Sequence, residues 1–212
     1  YNSSIKGYLP NIKHSIAVND SKKITDFIEG FSLQSSLKPY DQFIALNDYE
    51  PIEGIEQKSV DLVICTIGFH HIPAEKLDSF IVSIKKILRP GGIFIVRDHD
   101  VVDQEVLAIV NAAHTIFNVA LAEENFENEL SEYRNFQPLS YWVELLQKHG
   151  FDVGSERIQQ NGDPSMNTLI KATVNSSTYD EYEGMLQRLF KYKRRGASSR
   201  YYTNISYSAR MD

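Results

Sequence analysis

The stretch Val60-Asp-Leu-Val-Ile-Cys-Thr-Ile-Gly-Phe-His-His-Ile-Pro73 decides how this chain is read. From Val60 to Ile67 it is apolar on both faces, with Asp61 and Thr66 as the polar exceptions. A strand of that kind belongs in the middle of a sheet covered on both sides. Pro73 then suits the first turn of a helix. Leu77, Phe80, Ile81, Ile84, Ile87 and Leu88 continue it as one broad apolar stripe at helical spacing. Arg89-Pro-Gly-Gly92 ends the helix, because Pro cannot continue it and Gly supplies the turn. Ile93-Phe-Ile-Val96 is the next buried strand, and it stops at Arg97-Asp-His-Asp100. Strand, helix and strand in this order form a parallel crossover unit, which sets the fold class as α/β.

Working outward, Ser15 to Val18 and Gln42 to Leu46 read as further strands. Between them, residues 22–31 carry Ile24, Phe27, Ile28 and Phe31 at helical spacing. A loop is expected over 49–59, a long helix over 103–123, a polar acidic connection over 124–135, and a helix over Leu139–His149 stopped by Gly150. Phe151–Gln160 and Asn167–Val174 flank the turn-like Asn161-Gly-Asp-Pro164, so they form an antiparallel pair. Residues 179–195 read as a last helix. The expected organisation is one doubly wound domain over 1–195, followed by a tail over 196–212 that is flexible or docks as an arm.

Composition narrows the function. The 212 residues are 42% hydrophobic and 24% charged, an ordinary globular balance that excludes disordered, collagen-like and coiled-coil chains. The net charge of −6 argues against a duplex nucleic acid held by bulk charge. The single cysteine, Cys65, favours a reducing compartment, and no signal peptide opens the chain, so a cytoplasmic location is expected. No apolar run is long enough to span a membrane.

In an open parallel sheet, ligands bind beyond the carboxyl ends of the strands. Each parallel strand here ends in polar chemistry: Asn19-Asp20, Asn47-Asp48, Thr66 to His71, and Asp98-His99-Asp100. Acidic groups at the first two ends suit the hydroxyl and amino donors of a nucleoside.

This order of features resembles the class I S-adenosylmethionine-dependent methyltransferases. The resemblance is carried by residues 60–73, by Leu88-Arg-Pro-Gly-Gly-Ile-Phe-Ile-Val96 and by the closing antiparallel pair, and it covers about residues 14–174. It implies a mostly parallel sheet with an antiparallel C-terminal strand, S-adenosylmethionine as cofactor and methyl transfer to an acceptor, a small molecule being favoured. A non-catalytic interaction module of the same fold is the alternative. By position, the resemblance puts the ribose contact at Asn19 or Asp20 and the adenine contact at Asn47, Asp48 and Tyr49. It puts the methionine part of the cofactor along Thr66, Ile67 and Gly68. The family's first strand and its glycine-rich loop have no counterpart ahead of the second strand. The first strand is the central one, so a sheet without it would be split, and either residues precede Tyr1 or the fold is rearranged and cofactor binding is lost.

His70, His71, Asp98 and His99 are the candidates for orienting the acceptor or acting as base, since His titrates near neutrality. The plainer alternative is that they shape a turn and end a strand. The spacing of His70, His71 and His99 matches no compact metal pattern, so no metal is expected. Cys65, inside an apolar strand, reads as buried and inert. His114, Phe117 and Asn118 lie where they could line a substrate pocket, with core packing the plainer fate of Phe117. The run Lys191-Tyr-Lys-Arg-Arg195 reads as a solvated helix end.

Overall fold

Asp103 accepts a hydrogen bond from the Val106 amide at 2.9 Å, and this cap starts one of the helices that the sequence pattern anticipates. The computed structural model describes residues 12–19, 40–121, 125–159 and 162–175, together with the backbone of 201–206. The expected helices over 22–31 and 179–195, and the basic run at 191–195, lie outside the described residues.

The described strands are β1 (Ser15–Asn19), β2 (Gln42–Ala45), β3 (Val60–Thr66), β4 (Leu88–His99), β5 (Phe151–Gln159), β6 (Asn167–Val174) and β7 (Tyr201–Ser206). They form one seven-stranded sheet in the order β2-β1-β7-β3-β4-β6-β5. β1, β2, β3, β4 and β7 run parallel, whereas β6 is antiparallel to both β4 and β5. The helices are α1 (Ala74–Ile87), α2 (Gln104–Thr115), α3 (Phe126–Ser131) and α4 (Leu139–Lys148).

The fold class is as the sequence implies, with one correction. The sheet does not lack its middle strand: β7, from the tail, lies between β1 and β3 and pairs parallel with each. No periodicity marks Tyr201–Ser206 as a strand, because a strand with neighbours on both edges is defined by them rather than by its own alternation.

Three smaller differences have local causes. β4 begins at Leu88 and so takes in the Pro-Gly-Gly segment. There Gly91 adopts φ 73°, and a Cβ on Gly92 would stand 2.8 Å from the Arg89 carbonyl oxygen. The expected long helix breaks: α2 ends at Thr115 and a π-helical stretch runs from Ile116 to Leu121. Part of the acidic connection folds as α3, capped by the Asn125 side chain on the Glu127 amide.

The core joins β1, β3, β4 and β6 to α1 and α4. Phe80, Ile81 and Ile84 of α1 and Trp142 and Leu146 of α4 are essentially sealed from solvent. Trp142 packs edge-on against Phe69 with ring centres 5.5 Å apart, and Phe69 in turn meets Phe94 of β4 at 5.8 Å. This aromatic stack fixes the turn that follows β3 and thereby positions the residues at the sheet's carboxyl edge.

Candidate functional site

The chain leaves β3 through Ile67, a β-branched residue at φ 53° whose amide donates to the Arg97 carbonyl at 2.6 Å. Left-handed backbone is costly for such a side chain and is held only where the surroundings over-determine it. Gly68 then opens a 3-10 turn, Phe69–His71, which is buried throughout.

Asp98, near the end of β4, holds this turn. Its Oδ2 accepts the Phe69 amide at 2.9 Å and the His70 amide at 3.2 Å. Its Oδ1 lies 2.6 Å from His70 Nδ1 and accepts the His99 amide at 2.8 Å. Burial alone would push the Asp98 carboxyl up, but the neighbouring His70 and His99 and their hydrogen bonds hold it below its ordinary value. Because a carboxylate only accepts, the contact places a proton on His70 Nδ1 and turns Nε2 away from Asp98.

His70 Nε2 faces Nε2 of His114, on α2, at 3.4 Å. His114 Nδ1 lies 3.1 Å from the Asn118 amide nitrogen, which also donates to Glu129 Oε2 at 2.8 Å. Glu129 pairs with Arg134, which also reaches Glu132 at 3.1 Å. His71 Nδ1 stands 3.2 Å from Glu132 Oε1. Burial, reinforced by neighbouring positive groups, pushes His71 well below its ordinary value and His114 down to about 3. Phe136 covers the group, its ring 4.7 Å from that of His70 and 5.3 Å from that of His99. The Asn135 amide clasps the His70 carbonyl at 2.6 Å.

His99 is arranged differently. Its Nδ1 donates to the Ser165 carbonyl at 2.6 Å, which fixes the tautomer. Its Nε2 is buried and has no hydrogen-bond partner among the described residues. Burial lowers its pKa. Ser165 is held by Asp163, whose Oδ1 accepts from both the Ser165 amide and hydroxyl at 2.9 and 2.5 Å.

The other expected positions lie along the same edge of the sheet. Asn19 closes β1 and is 5% exposed, and Asp20 lies outside the described residues. Asn47, Asp48 and Tyr49 follow β2 with three successive left-handed residues at φ 50°, 53° and 61°. The Asp48 carboxylate meets Lys76 of α1 at 2.9 Å, and Tyr49 packs edge-on against Phe80. Asp100 supports the fold, its Oδ1 accepting the Leu139 amide at the start of α4. Phe117 is 44% exposed and therefore not in the core. Cys65 is buried, and burial followed by the Asp98 charge raises its thiol pKa far above the ordinary value.

Four contributors escaped the sequence reading: Glu129, Glu132, Arg134 and Phe136. They lie in or beside a segment whose polarity suggested a solvated connection, yet Glu129 is 1% exposed. The one available signal was Arg134 amid acidic residues, a cation able to compensate a buried carboxylate.

Comparison with known proteins bears on the domain and its fold. Residues 11–96 match a family model described as a methyltransferase domain. An S-adenosylmethionine-dependent methyltransferase from Methanosarcina mazei superposes with a TM-score of 0.50 at 12% identity, covering 76% of this chain and 82% of that one. One from Thermotoga maritima gives a TM-score of 0.50 at 12% identity, covering 82% and 88%. No curated protein sequence matches significantly. Residues 11–96 thus resemble a methyltransferase domain, and the chain has the fold seen in S-adenosylmethionine-dependent methyltransferases.

Proposed function

We propose that the protein transfers the methyl group of S-adenosylmethionine to the nitrogen, oxygen or carbon of a small-molecule acceptor. The observation that carries this reading is the locking of the turn after β3 to the end of β4 through Asp98, at the edge where this fold places its ligands. The cofactor would supply an activated methyl group on a sulfonium. Asn19 and Asp20 would hold the ribose, Asn47, Asp48 and Tyr49 would flank the adenine, and Thr66 to Gly68 would line the methionine part. The donor set fits such a group, since short polar side chains at the first two strand ends match hydroxyl and amino donors.

In the transfer, the acceptor's electron pair forms the new bond to the methyl carbon. The carbon–sulfur bond breaks, its pair stays on sulfur, and an acceptor proton is lost where the nucleophile carried one. The protein's main task is alignment. His99 suits it, because a buried Nε2 acceptor in a fixed tautomer can orient an N–H or O–H of the acceptor. His70, His71 and Asp98 would build the wall behind it.

A second reading, an interaction module of the same fold that no longer binds the cofactor, draws on one observation. The central strand Tyr201–Ser206 and the Tyr207-Ser-Ala-Arg-Met-Asp212 segment after it contain no glycine, where close approach to the cofactor calls for it. Calorimetric titration of the full-length protein with S-adenosylhomocysteine separates the two. Saturable one-to-one binding is expected, and absence of heat at millimolar ligand would favour the module.

A further inference from the structure

His70, His71, His99 and His114 gather with Asp98, Glu129, Glu132 and Arg134, a denser cluster than His99 needs to align an acceptor with the methyl donor. One ring nitrogen from each of His70, His71 and His114 can be chosen so that all three lie within 4.8 Å of one another. The side chains of His70, His71 and His114 are buried, at 0%, 3% and 8% exposure. Concentrating imidazoles away from water is costly unless their nitrogens are satisfied.

From this convergence we infer that His70, His71 and His114 form a binding site for one divalent transition-metal ion, with zinc the leading candidate. The distance between the facing nitrogens supports it. Two ligands at about 2.0–2.1 Å from a tetrahedral zinc stand about 3.3–3.4 Å apart. His70 Nε2 and His114 Nε2 are separated by 3.4 Å, whereas ordinary hydrogen bonds are shorter.

The surroundings supply the outer layer that metal-bound histidines use. Such a ring commonly donates its other N–H to a carboxylate, which sets its tautomer and its orientation. Asp98 does this for His70 at 2.6 Å, and the Tyr133 backbone hydrogen-bonds His71, whose Nδ1 stands 3.2 Å from Glu132 Oε1. For His114 to bind through Nε2, its Nδ1 must carry the proton, so the Asn118 amide makes a half turn and presents its oxygen. Glu129 then keeps Arg134 as its partner. Three imidazoles leave a fourth position on a tetrahedral ion open, and imidazole nitrogen suits zinc, copper, nickel and iron rather than magnesium or calcium. The ligands come from the turn after β3 and from α2, which is why no compact spacing announces them.

The test needs no methyl acceptor and is independent of cofactor binding. The full-length protein, stripped with a chelator and dialysed, is titrated with cobalt(II) and then with zinc. The expected result is the intense visible absorption of tetrahedral cobalt at one equivalent, its displacement by zinc, and a higher melting temperature with zinc bound. His114→Ala should weaken binding at least about tenfold. His149→Ala, whose imidazole pairs with Asp78 at 2.7 Å instead of with the three candidate ligands, should bind as the wild type does. A wild-type protein that gives only the spectrum of hydrated cobalt overturns the inference, and so does a folded His114→Ala protein that binds unchanged.

Discussion

His70, in the turn after β3, and Asp98, near the end of β4, meet through a contact of 2.6 Å with side chains 0% and 1% exposed. The same carboxylate takes three backbone amides, so it joins two neighbouring strand ends at a single side chain. Asp98→Asn keeps the shape but turns an NH2 group toward donors that need an acceptor. A stability loss of about 3 kcal/mol is expected from urea denaturation. A loss under about 1 kcal/mol would show that these bonds do not hold the site together.

Trp142 is fully buried against Phe69, the first residue of the turn. Trp142→Ala should cost about 3–5 kcal/mol, and Trp142→Phe should cost clearly less. Equal losses in the two variants would mean that the packing against Phe69 matters less than its geometry suggests.

Asp163 holds Ser165, and the Ser165 carbonyl in turn fixes His99. Burial would raise the Asp163 carboxyl, but hydrogen bonds from Ser165 and Asn167 and the Arg97 charge outweigh it and lower the pKa below 3.8. A group depressed in the folded state stabilises the protein above its unfolded pKa, and that stability is lost as pH falls through the folded value. The stability gap between wild type and Asp163→Asn should therefore be full near neutrality and shrink below pH 3.8. A gap that stays constant across that range would contradict the assignment.

Cys65 combines burial with a raised pKa, so it offers no accessible thiolate. A thiol reagent should leave the native protein unlabelled for hours, and labelling should appear along the denaturation curve. Rapid labelling of the folded protein would place Cys65 in a more open environment.

Lys76 ties α1 to the loop after β2, donating to the Asp48 carbonyl at 2.7 Å and pairing with Glu50 at 3.1 Å. The pairs are exposed and contribute little to overall stability. Lys76→Ala should leave the melting temperature within about 2 °C of wild type. If the loop flanks adenine as proposed, S-adenosylhomocysteine affinity should fall about two- to fivefold. Unchanged affinity would remove this loop from the cofactor's surroundings.

Much of the sheet is legible in the sequence because burial leaves a local trace. Apolar runs at 15–18, 60–67 and 93–96 fall within observed strands or overrun them by a residue. The helix over 103–123 is misread beyond Thr115, since the apolar spacing of Ile116 and Phe117 does not reveal a change to π geometry. β7 leaves no trace because its place depends on neighbours far away in the chain. At the site, His70, His71, Asp98 and His99 stand out by their position after strands. Their mutual geometry does not, because it depends on α2 folding back across 44 residues to set His114 against His70. Glu129 looks solvated in sequence, and only the fold supplies the arginine that compensates it.

The position of β7 also has a consequence for how the chain folds. β1 and β3 have no ladder with each other, and each is bonded to a strand that begins at Tyr201. The pairs β2-β1 and β3-β4 can form early, but they are joined into one sheet only once residues more than 180 positions from Ser15 are available. Closing so long a loop before any reward slows folding. During synthesis the two edges facing the gap therefore stay unpaired until nearly all of this sequence has emerged, and in that interval they are most open to pairing with another chain.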